Sequence, residues 1–367
     1  MESVVRRNKV NLELNGLRAV LAYAVFIHHF IISLNYHSNG IWVAPQNHFF
    51  DKLGSAPVIL FFFITGYLFS RPEMYTGIGK KGYRTYLKKR ALRIYPAYFV
   101  NFLIVIMVAF ISTQQRQFNF LEQIKSILSW LVIGLPNGVF ADLMNFKYTT
   151  IINAGVVWTL RYELVFYIIC PWLLRFIYIN KNRNFTVAAF IFFIIYALGF
   201  QFVQLIYDFS KFYTLGFFGG MVLGLYEQQI TSWINKVFMN RKLQVCTLGL
   251  GLLISFLSAK FSIGESLGLF VVFMFFIAQV SVLSIFKTKF MQRIGEASYS
   301  FYLFHGVVLF LFFSYLPYPT DKFLIILYFL VITIIAWIIS IISYNTVERK
   351  FYQPKMSMQN KTNRRDN

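Results

Sequence analysis

Residues 14–35 read LNGLRAVLAYAVFIHHFIISLN, an apolar run in which Arg18, His28 and His29 are the only titratable side chains apart from Tyr23. A helix of about 20 apolar residues is long enough to cross the hydrocarbon core of a bilayer. A secretory signal peptide is the alternative for such a run, but this one is too long and lacks a small-residue cleavage site. The stretch therefore predicts a first transmembrane helix.

The composition extends this interpretation to the whole chain. Of its 367 residues 57% are hydrophobic and 13% are charged, and the mean hydropathy is +0.58. Soluble domains carry about 25% charged residues, so the soluble globular class is excluded, and so is a disordered chain. Nine further windows of bilayer length lie at about 54–70, 94–112, 156–178, 185–206, 212–230, 243–260, 265–286, 298–316 and 323–346. The predicted fold is an all-α polytopic membrane protein with ten transmembrane helices.

The charge distribution predicts the orientation of these helices. Lys and Arg number 35 against 14 Asp and Glu, a net charge of +21 that in a soluble protein would indicate nucleic-acid binding. With both termini in the cytoplasm, 26 of the basic residues fall in inside segments and 7 in outside segments. Membrane insertion produces such a bias. We therefore predict cytoplasmic termini and no nucleic-acid partner.

The domain organisation is predicted to be simple. Residues 1–352 form a single membrane domain, and 353–367 form a short polar cytoplasmic tail. The segment 113–155 is the one long outside loop, and its apolar middle, Leu121 to Leu135, is predicted to lie in the membrane interface or to re-enter the bilayer.

Titratable side chains inside the first helix point to a ligand site. A charged residue at the bilayer centre costs at least about 2.5–3.5 kcal/mol, so each one calls for a reason. Arg18 and His29 are eleven residues apart, which places them on one helical face about 16.5 Å apart along the axis, whereas His28 points elsewhere. This geometry suits an elongated anionic ligand that is held at one end and reacts at the other. The alternative is a snorkelling Arg18 and two histidines that form interhelical hydrogen bonds.

A basic segment precedes the third helix. Lys89, Arg90 and Arg93 close a predicted cytoplasmic loop, 71–93, that is rich in Lys and Arg. Arg90 and Arg93 share a helical face, and guanidinium groups bind phosphate bidentately, which suits a nucleotide-like anion. A dense positive-inside loop and a site for anionic lipid headgroups are the alternatives.

A third group lies at the predicted outer entry to the fourth helix. Glu163 is a candidate to orient an imidazole or to bind sugar hydroxyls, while Trp158 and Tyr162 are spaced to offer a platform for a sugar ring. The alternative is an aromatic belt at the membrane interface with an Arg161–Glu163 pair.

His305 is the last embedded histidine, in the ninth predicted helix. A lone histidine in a helical bundle is more often a hydrogen-bonded packing residue than a catalyst. His37, His48 and Asp51 lack the spacing of a metal site, and we predict no metal.

Four motifs in order resemble a known family. They are Asn15-Gly16-Leu17-Arg18 with His29, Lys89-Arg90-Ala91-Leu92-Arg93-Ile94-Tyr95-Pro96, Trp158-Thr159-Leu160 with Glu163, and Ser298-Tyr299-Ser300 with His305. Together they resemble the bacterial acyltransferase-3 family of membrane O-acyltransferases, from about residue 12 to 350. The resemblance implies that the Arg18–His29 pair belongs to the active site with His29 as base. It also implies that Arg90 and Arg93 hold acetyl-CoA, and that a sugar hydroxyl near the outer face is acylated.

The first motif departs from the family. The family usually has Asp where this chain has Asn15, which removes a carboxylate that would pair with Arg18. Arg18 is then expected to take its counter-charge from the ligand or from another helix, for example from Glu348.

The resulting hypothesis is a stand-alone O-acetyltransferase of the bacterial cytoplasmic (inner) membrane. It would move an acetyl group from acetyl-CoA to a surface or lipid-linked polysaccharide, such as lipopolysaccharide O-antigen, capsule or exopolysaccharide. The protein itself would be in contact with membrane lipids. A transporter or flippase of lipid-linked glycans is the alternative. The predicted site residues are His29, Glu163 and Arg18 for catalysis, Arg90, Arg93 and Lys89 for acetyl-CoA, and Trp158, Tyr162 and His305 for the acceptor.

Overall fold

The computed structural model describes residues 11–71, 82–113, 117–134, 140–180 and 213–351, and within these ranges every regular element is a helix. The α-helices are α1 (Leu12–Asn39), α2 (His48–Ser70), α3 (Tyr83–Ser112), α4 (Phe120–Leu131), α5 (Trp158–Asn180), α6 (Tyr213–Leu225), α7 (Glu227–Val237), α8 (Arg241–Leu257), α9 (Ile263–Ala278), α10 (Lys289–Glu296), α11 (Ser298–Tyr315) and α12 (Lys322–Ser343). The predicted helix at 185–206 and the predicted tail at 353–367 lie outside the described residues.

Short polar side chains fix where several helices begin. The side chains of Asn47, Asn119, Asn240, Ser262 and Asp321 accept backbone N–H groups of the first turns of α2, α4, α8, α9 and α12. The first N–H groups of a helix have no partner within the helix, so these caps satisfy donors that would otherwise be left without one.

Five helices in the described part are long and apolar enough to cross a membrane: α1, α2, α3, α11 and Lys322–Phe351, which is α12 with the turns that follow it. This architecture is that of a multi-pass membrane protein. A sixth candidate consists of α9 and the 3₁₀ helix Ser281–Lys287, which meet at 77°. The predicted span over 265–286 thus contains a bend between these two helices. The expected helix over 212–230 is divided between α6 and α7.

The described residues form two compact units. The first unit contains the described parts of Met1–Ala24, Asn47–Tyr75 and Leu173–Glu296. Here α2 and α6 pack backbone to backbone, since Gly216, Gly220 and Gly224 recur every fourth residue and a Cβ on Gly220 would meet the carbonyl oxygen of Phe63. Small residues at this spacing are typical of membrane helix pairs.

The buried charges described in the first unit are paired. Lys52 Nζ lies 3.1 Å from Glu265 Oε1, and both side chains are almost fully buried. Ser55 Oγ donates a 2.6 Å hydrogen bond to the same carboxylate oxygen. Buried ions keep their charge only with such partners, so this pair ties α2 to α9 as a structural element.

The second unit contains the described parts of Val25–Gln46, Thr76–Trp172 and Ala297–Asn367. Its centre is α11, in which every residue from 300 to 310 is buried. Polar side chains hold this apolar helix to its neighbours: Asn101 Nδ2 donates to the carbonyl oxygen of Leu303 at 2.8 Å, and the Tyr299 hydroxyl donates to that of Ile94 at 2.9 Å. Hydrogen bonds of this kind give membrane helices a defined register.

The segment between α3 and α5 is folded into the second unit. Tyr98 donates a hydrogen bond to the Trp130 carbonyl oxygen at 2.6 Å, and the Trp130 indole donates to the Ala141 carbonyl oxygen at 2.8 Å. Asn153 is fully buried, and a Cβ on Gly306 would collide with its backbone. The second half of this segment is thus packed against α11. Helix α4 exposes the large apolar side chains of Phe120, Leu121 and Leu128, which suits the predicted interfacial position.

Candidate active site

Two histidines from different helices meet in the second unit. His29 Nδ1 lies 3.1 Å from Nε2 of His305, and the two rings stack with their centroids 5.2 Å apart. His305 is completely buried, whereas His29 is partly exposed. The pair therefore has a closed side at His305 and a more accessible side at His29.

Aromatic rings enclose the buried member of the pair. The His305 ring lies edge-on to Phe26 at 6.1 Å and against Phe301 at 5.9 Å. Phe301 in turn stacks on Trp337 at 4.0 Å. Close packing on several sides leaves the His305 imidazole little freedom to rotate.

His28 also touches the pair. Its ring meets that of His29 edge to face, with centroids 5.2 Å apart. The two side chains leave the helix about 100° apart, as the sequence predicts, but neighbouring large rings still come into contact. His28 is partly exposed.

A second polar cluster joins α3 and α5. The Tyr167 hydroxyl donates a hydrogen bond to Glu163 Oε1, and the charges of Glu163, Arg93 and Arg90 all act on the Tyr167 side chain. The Arg90 guanidinium lies over the Tyr86 ring, 5.6 Å from its centroid. The charges of both arginines and of Glu163 therefore act on one hydroxyl group.

The start of α3 corrects one expectation. Lys89, Arg90 and Arg93 were expected in a loop, but they lie within α3, which begins at Tyr83. The position of Glu163 at the outer end of the membrane stays a prediction. Glu163 was a candidate to orient an imidazole. The hydrogen-bond partner of His29 is His305, whereas Glu163 accepts a hydrogen bond from Tyr167. A side-chain contact joins α3 and α5, since the Tyr83 hydroxyl donates a hydrogen bond to the Ile168 carbonyl oxygen at 3.1 Å.

A π-helical turn carries Glu348 into the same unit. This turn, Tyr344–Glu348, follows α12, and the Ser300 hydroxyl hydrogen-bonds Glu348 Oε1 and lies 2.9 Å from Ser343 Oγ. Glu348 also acts electrostatically on Tyr299. Wider π-helical turns often occur at functional sites.

Asn15 has a structural partner in the first unit. Its Nδ2 donates to the carbonyl oxygen of Gln292 at 3.0 Å and to Oε1 of the same residue at 3.2 Å. Both partners are acceptors, so an amide fits here and a carboxylate does not. Arg18, one turn further along α1, is partly exposed.

The predicted aromatic platform has a different geometry. The Trp158 and Tyr162 rings lie 5.8 Å apart at 82°, so they meet edge to face and form no flat surface. Tyr162 is buried, and its hydroxyl accepts a 2.8 Å hydrogen bond from Arg161. Lys89 is exposed on α3. The roles of these side chains in binding stay predictions.

Within the described ranges no three His, Cys, Asp or Glu side chains are placed to hold a metal ion.

Sequence reasoning missed the polar contacts that surround the site. The buried amides of Asn101 and Asn153 lie 3.4 Å apart, and Asn101 was the one available signal, as a polar residue inside an apolar window. The His29–His305 contact has no signal in residue spacing.

The fold and the site define an all-helical, multi-pass membrane protein with a histidine pair between two of its apolar helices. The acyltransferase-3 family, described as an acyltransferase domain, matches residues 11–344. The chain belongs to this family. This agrees with the resemblance found in the motifs.

A curated relative is similar over part of its length. It is Nodulation protein 10 of Rhizobium leguminosarum bv. viciae, 30% identical over 145 residues, which are 37% of this chain and 36% of the relative. The match thus spans about a third of the relative's length. No solved structure matches the chain.

Proposed function

We propose that the protein transfers an acetyl group from acetyl-CoA to a sugar hydroxyl of a surface or lipid-linked polysaccharide, such as O-antigen, capsule or exopolysaccharide. The observation that carries the proposal is the partly exposed His29 imidazole held by the buried His305. A neutral imidazole has the right basicity, with a reference pKa of about 6.5, to accept a hydroxyl proton near neutral pH.

In the proposed transfer His29 acts first as a base and then as an acid. The acceptor hydroxyl loses its proton to His29 while its oxygen attacks the thioester carbonyl. The carbon–sulfur bond breaks, and the CoA sulfur leaves with the proton that His29 returns. No group on this path requires a metal.

The two arginines of α3 are the proposed donor site. Arg90 and Arg93 would bind the phosphates of acetyl-CoA through their guanidinium groups. The exposed Lys89 on the same helix adds a further positive charge. Arg18, near the start of α1, is assigned to the elongated donor.

The acceptor is assigned to the first turns of α5. Trp158 and Tyr162 are the proposed contacts for the sugar, through an edge of each ring.

We propose ten membrane-spanning helices with both termini in the cytoplasm of a bacterium. Acetyl-CoA then enters from the cytoplasm, and the glycan is modified at the outer face of the inner membrane.

A reconstituted assay tests the proposal. The purified full chain in lipid nanodiscs is given acetyl-CoA and surface glycans from the source strain, and free thiol and acetylated glycan are measured together. Release of CoA that depends on the glycan and on His29 supports the proposal. Transbilayer movement of a lipid-linked glycan without thiol release would instead establish a transporter, the alternative that family membership does not favour.

A further inference from the structure

The buried histidine has one nitrogen whose proton is fixed by the backbone. His305 Nδ1 lies 3.0 Å from the carbonyl oxygen of Phe301, one turn earlier in α11. A carbonyl oxygen only accepts hydrogen bonds, so His305 Nδ1 carries the proton. In a neutral imidazole the other nitrogen, Nε2, is then an acceptor.

The protonation of the His305 ring determines which nitrogen of His29 carries a proton. The acceptor Nε2 of His305 lies 3.1 Å from Nδ1 of His29, so His29 Nδ1 must be the donor. The backbone of Val25, one turn earlier in α1, also hydrogen-bonds the His29 ring. His37 and His305 both hydrogen-bond the carbonyl oxygen four residues earlier through Nδ1. The same contact from His29 to Val25 again requires a proton on Nδ1 of His29. His29 Nε2 is left with its lone pair.

We propose that His305 is a positioning residue that holds His29 in the Nδ1–H tautomer, with Nε2 as the base. The inference rests on the proposed acyl transfer and assigns His305 a role other than acceptor binding. The hydroxyl proton moves to His29 Nε2 as the ester C–O bond forms, and the same proton leaves with the CoA sulfur as the C–S bond breaks. During this interval the His29 imidazolium donates through Nδ1 to His305.

The burial of His305 suits this role. The side chain is completely buried and is enclosed by the rings of Phe26, Phe301 and Tyr302. It reaches a substrate only through His29. A fixed ring behind an accessible one sets both the tautomer and the orientation of the base, which is how second residues of catalytic dyads act.

The tautomer is directly measurable without any enzymatic assay. The full chain, labelled with ¹⁵N-histidine and reconstituted in nanodiscs, is examined by solid-state NMR near pH 7.5. Carbon–nitrogen correlations distinguish Nδ1–H from Nε2–H rings, and the His29→Asn variant identifies the signals of His29 among the five histidines. Protonated Nδ1 and unprotonated Nε2 at His29 are expected. The reverse tautomer in the wild-type protein overturns the inference even if acyl transfer is confirmed.

Two near-isosteric variants provide the kinetic test. In His305→Gln the side-chain oxygen can take the place of Nε2 as acceptor, whereas His305→Met fills the same space without an acceptor. We expect His305→Gln to stay within about threefold of the wild-type kcat, and His305→Met to lose about hundredfold or more, with both KM values nearly unchanged. Equal activity of the two variants contradicts the role of His305. If instead the NMR result holds but the wild-type protein transfers no acetyl group, the proposed function fails and the tautomer assignment stands.

Discussion

At the scale of single residues, His28 and His29 form a matched pair within one helical turn. His29 bonds His305 through a ring nitrogen, and the His28 ring meets the His29 ring edge to face. We expect His29→Ala to abolish acyl transfer without loss of membrane insertion, because a base is removed. His28→Ala should retain substantial activity. Thiol release by equal amounts of folded protein checks both variants, and an equal loss would show that the direction of the side chains does not decide the base.

Asn15 provides a second test at this scale. Asn15→Asp restores the usual family residue but turns a donor into a carboxylate that faces two acceptors of Gln292. A buried polar contact of this kind costs about 1–3 kcal/mol when it is broken. The melting temperature in detergent should therefore fall, and Gln292→Lys in the same chain should recover part of the loss. An unchanged melting temperature would show that the amide contact is not stabilising.

From the sequence, single site residues could be predicted only by the energetic cost of burying a titratable group and by the spacing of residues along a helix. The energetic cost of burying a titratable group selected Arg18, His29 and Glu163, and helix geometry aligned the first two. The partner of His29 was out of reach, since His305 lies 276 positions further on and a lone buried histidine has the same signature in a packing role. The contact depends on how α1 and α11 pack, which no local pattern encodes.

At the scale of helices, the arginine pair of α3 distinguishes a phosphate site from a topology anchor. Both roles need positive charge at 90 and 93, but only a phosphate site needs the planar guanidinium fork. Arg90→Lys with Arg93→Lys should therefore raise the KM for acetyl-CoA by about tenfold or more, since one charge-assisted hydrogen bond contributes about 1.5–3 kcal/mol. The KM for the glycan should change little.

Arg84 on the same helix is the control for this pair. It is exposed at the start of α3, so Arg84→Lys should leave the KM for acetyl-CoA unchanged. If the double variant binds the donor as tightly as the wild-type protein, Arg90 and Arg93 are anchors only. The donor site must then be sought among Lys80, Lys81, Arg84 and the tail.

Two glycines test whether the buried segment before α5 is held by α11. Gly306→Ala places a Cβ on the backbone of Asn153, whereas Gly249→Ala in α8 meets no atom within 4 Å. We expect Gly306→Ala to lower stability by roughly 1–3 kcal/mol through overpacking. Gly249→Ala should be neutral or stabilise its helix by about 0.5–1 kcal/mol. Thermal unfolding in one detergent compares them, and equal stability would contradict the observed packing.

Helix-level prediction succeeded where the signal is a long apolar run. The runs that became α1, α2, α3, α11 and α12 have that property, and each was located. The 77° bend after α9 was missed because Gln279, at its C-cap, has a φ of 54° that usually requires glycine, and the sequence offers neither glycine nor proline there. The segment 140–157 was missed because its apolar stretches are short and its burial comes from contact with α11 and α3.

At the scale of the whole molecule, the distribution of positive charge is the argument for orientation. Of the 35 Lys and Arg residues, 26 lie in segments predicted to be inside and 7 in segments predicted to be outside. Long apolar helices fix that the chain crosses the membrane repeatedly, but only charge and helix number fix its direction. The proposed direction also decides from which side acetyl-CoA reaches Arg90 and Arg93.

Reporter fusions test the orientation as a whole. A reporter joined after Lys361 should behave as cytoplasmic, because an even number of spans returns the chain to the side on which the N-terminus lies. Reporters near Gly40, between α1 and α2, and near Asn137, between α3 and α5, should behave as external, since one and three spans precede them. The Gly40 fusion is the control for the first helix alone, because it depends on no other span. An external Lys361 with external Gly40 and Asn137 would mean an odd number of helices, with the error in the half that follows α5. An internal Gly40 would reverse the whole protein, and the arginines of α3 would then face away from cytoplasmic acetyl-CoA.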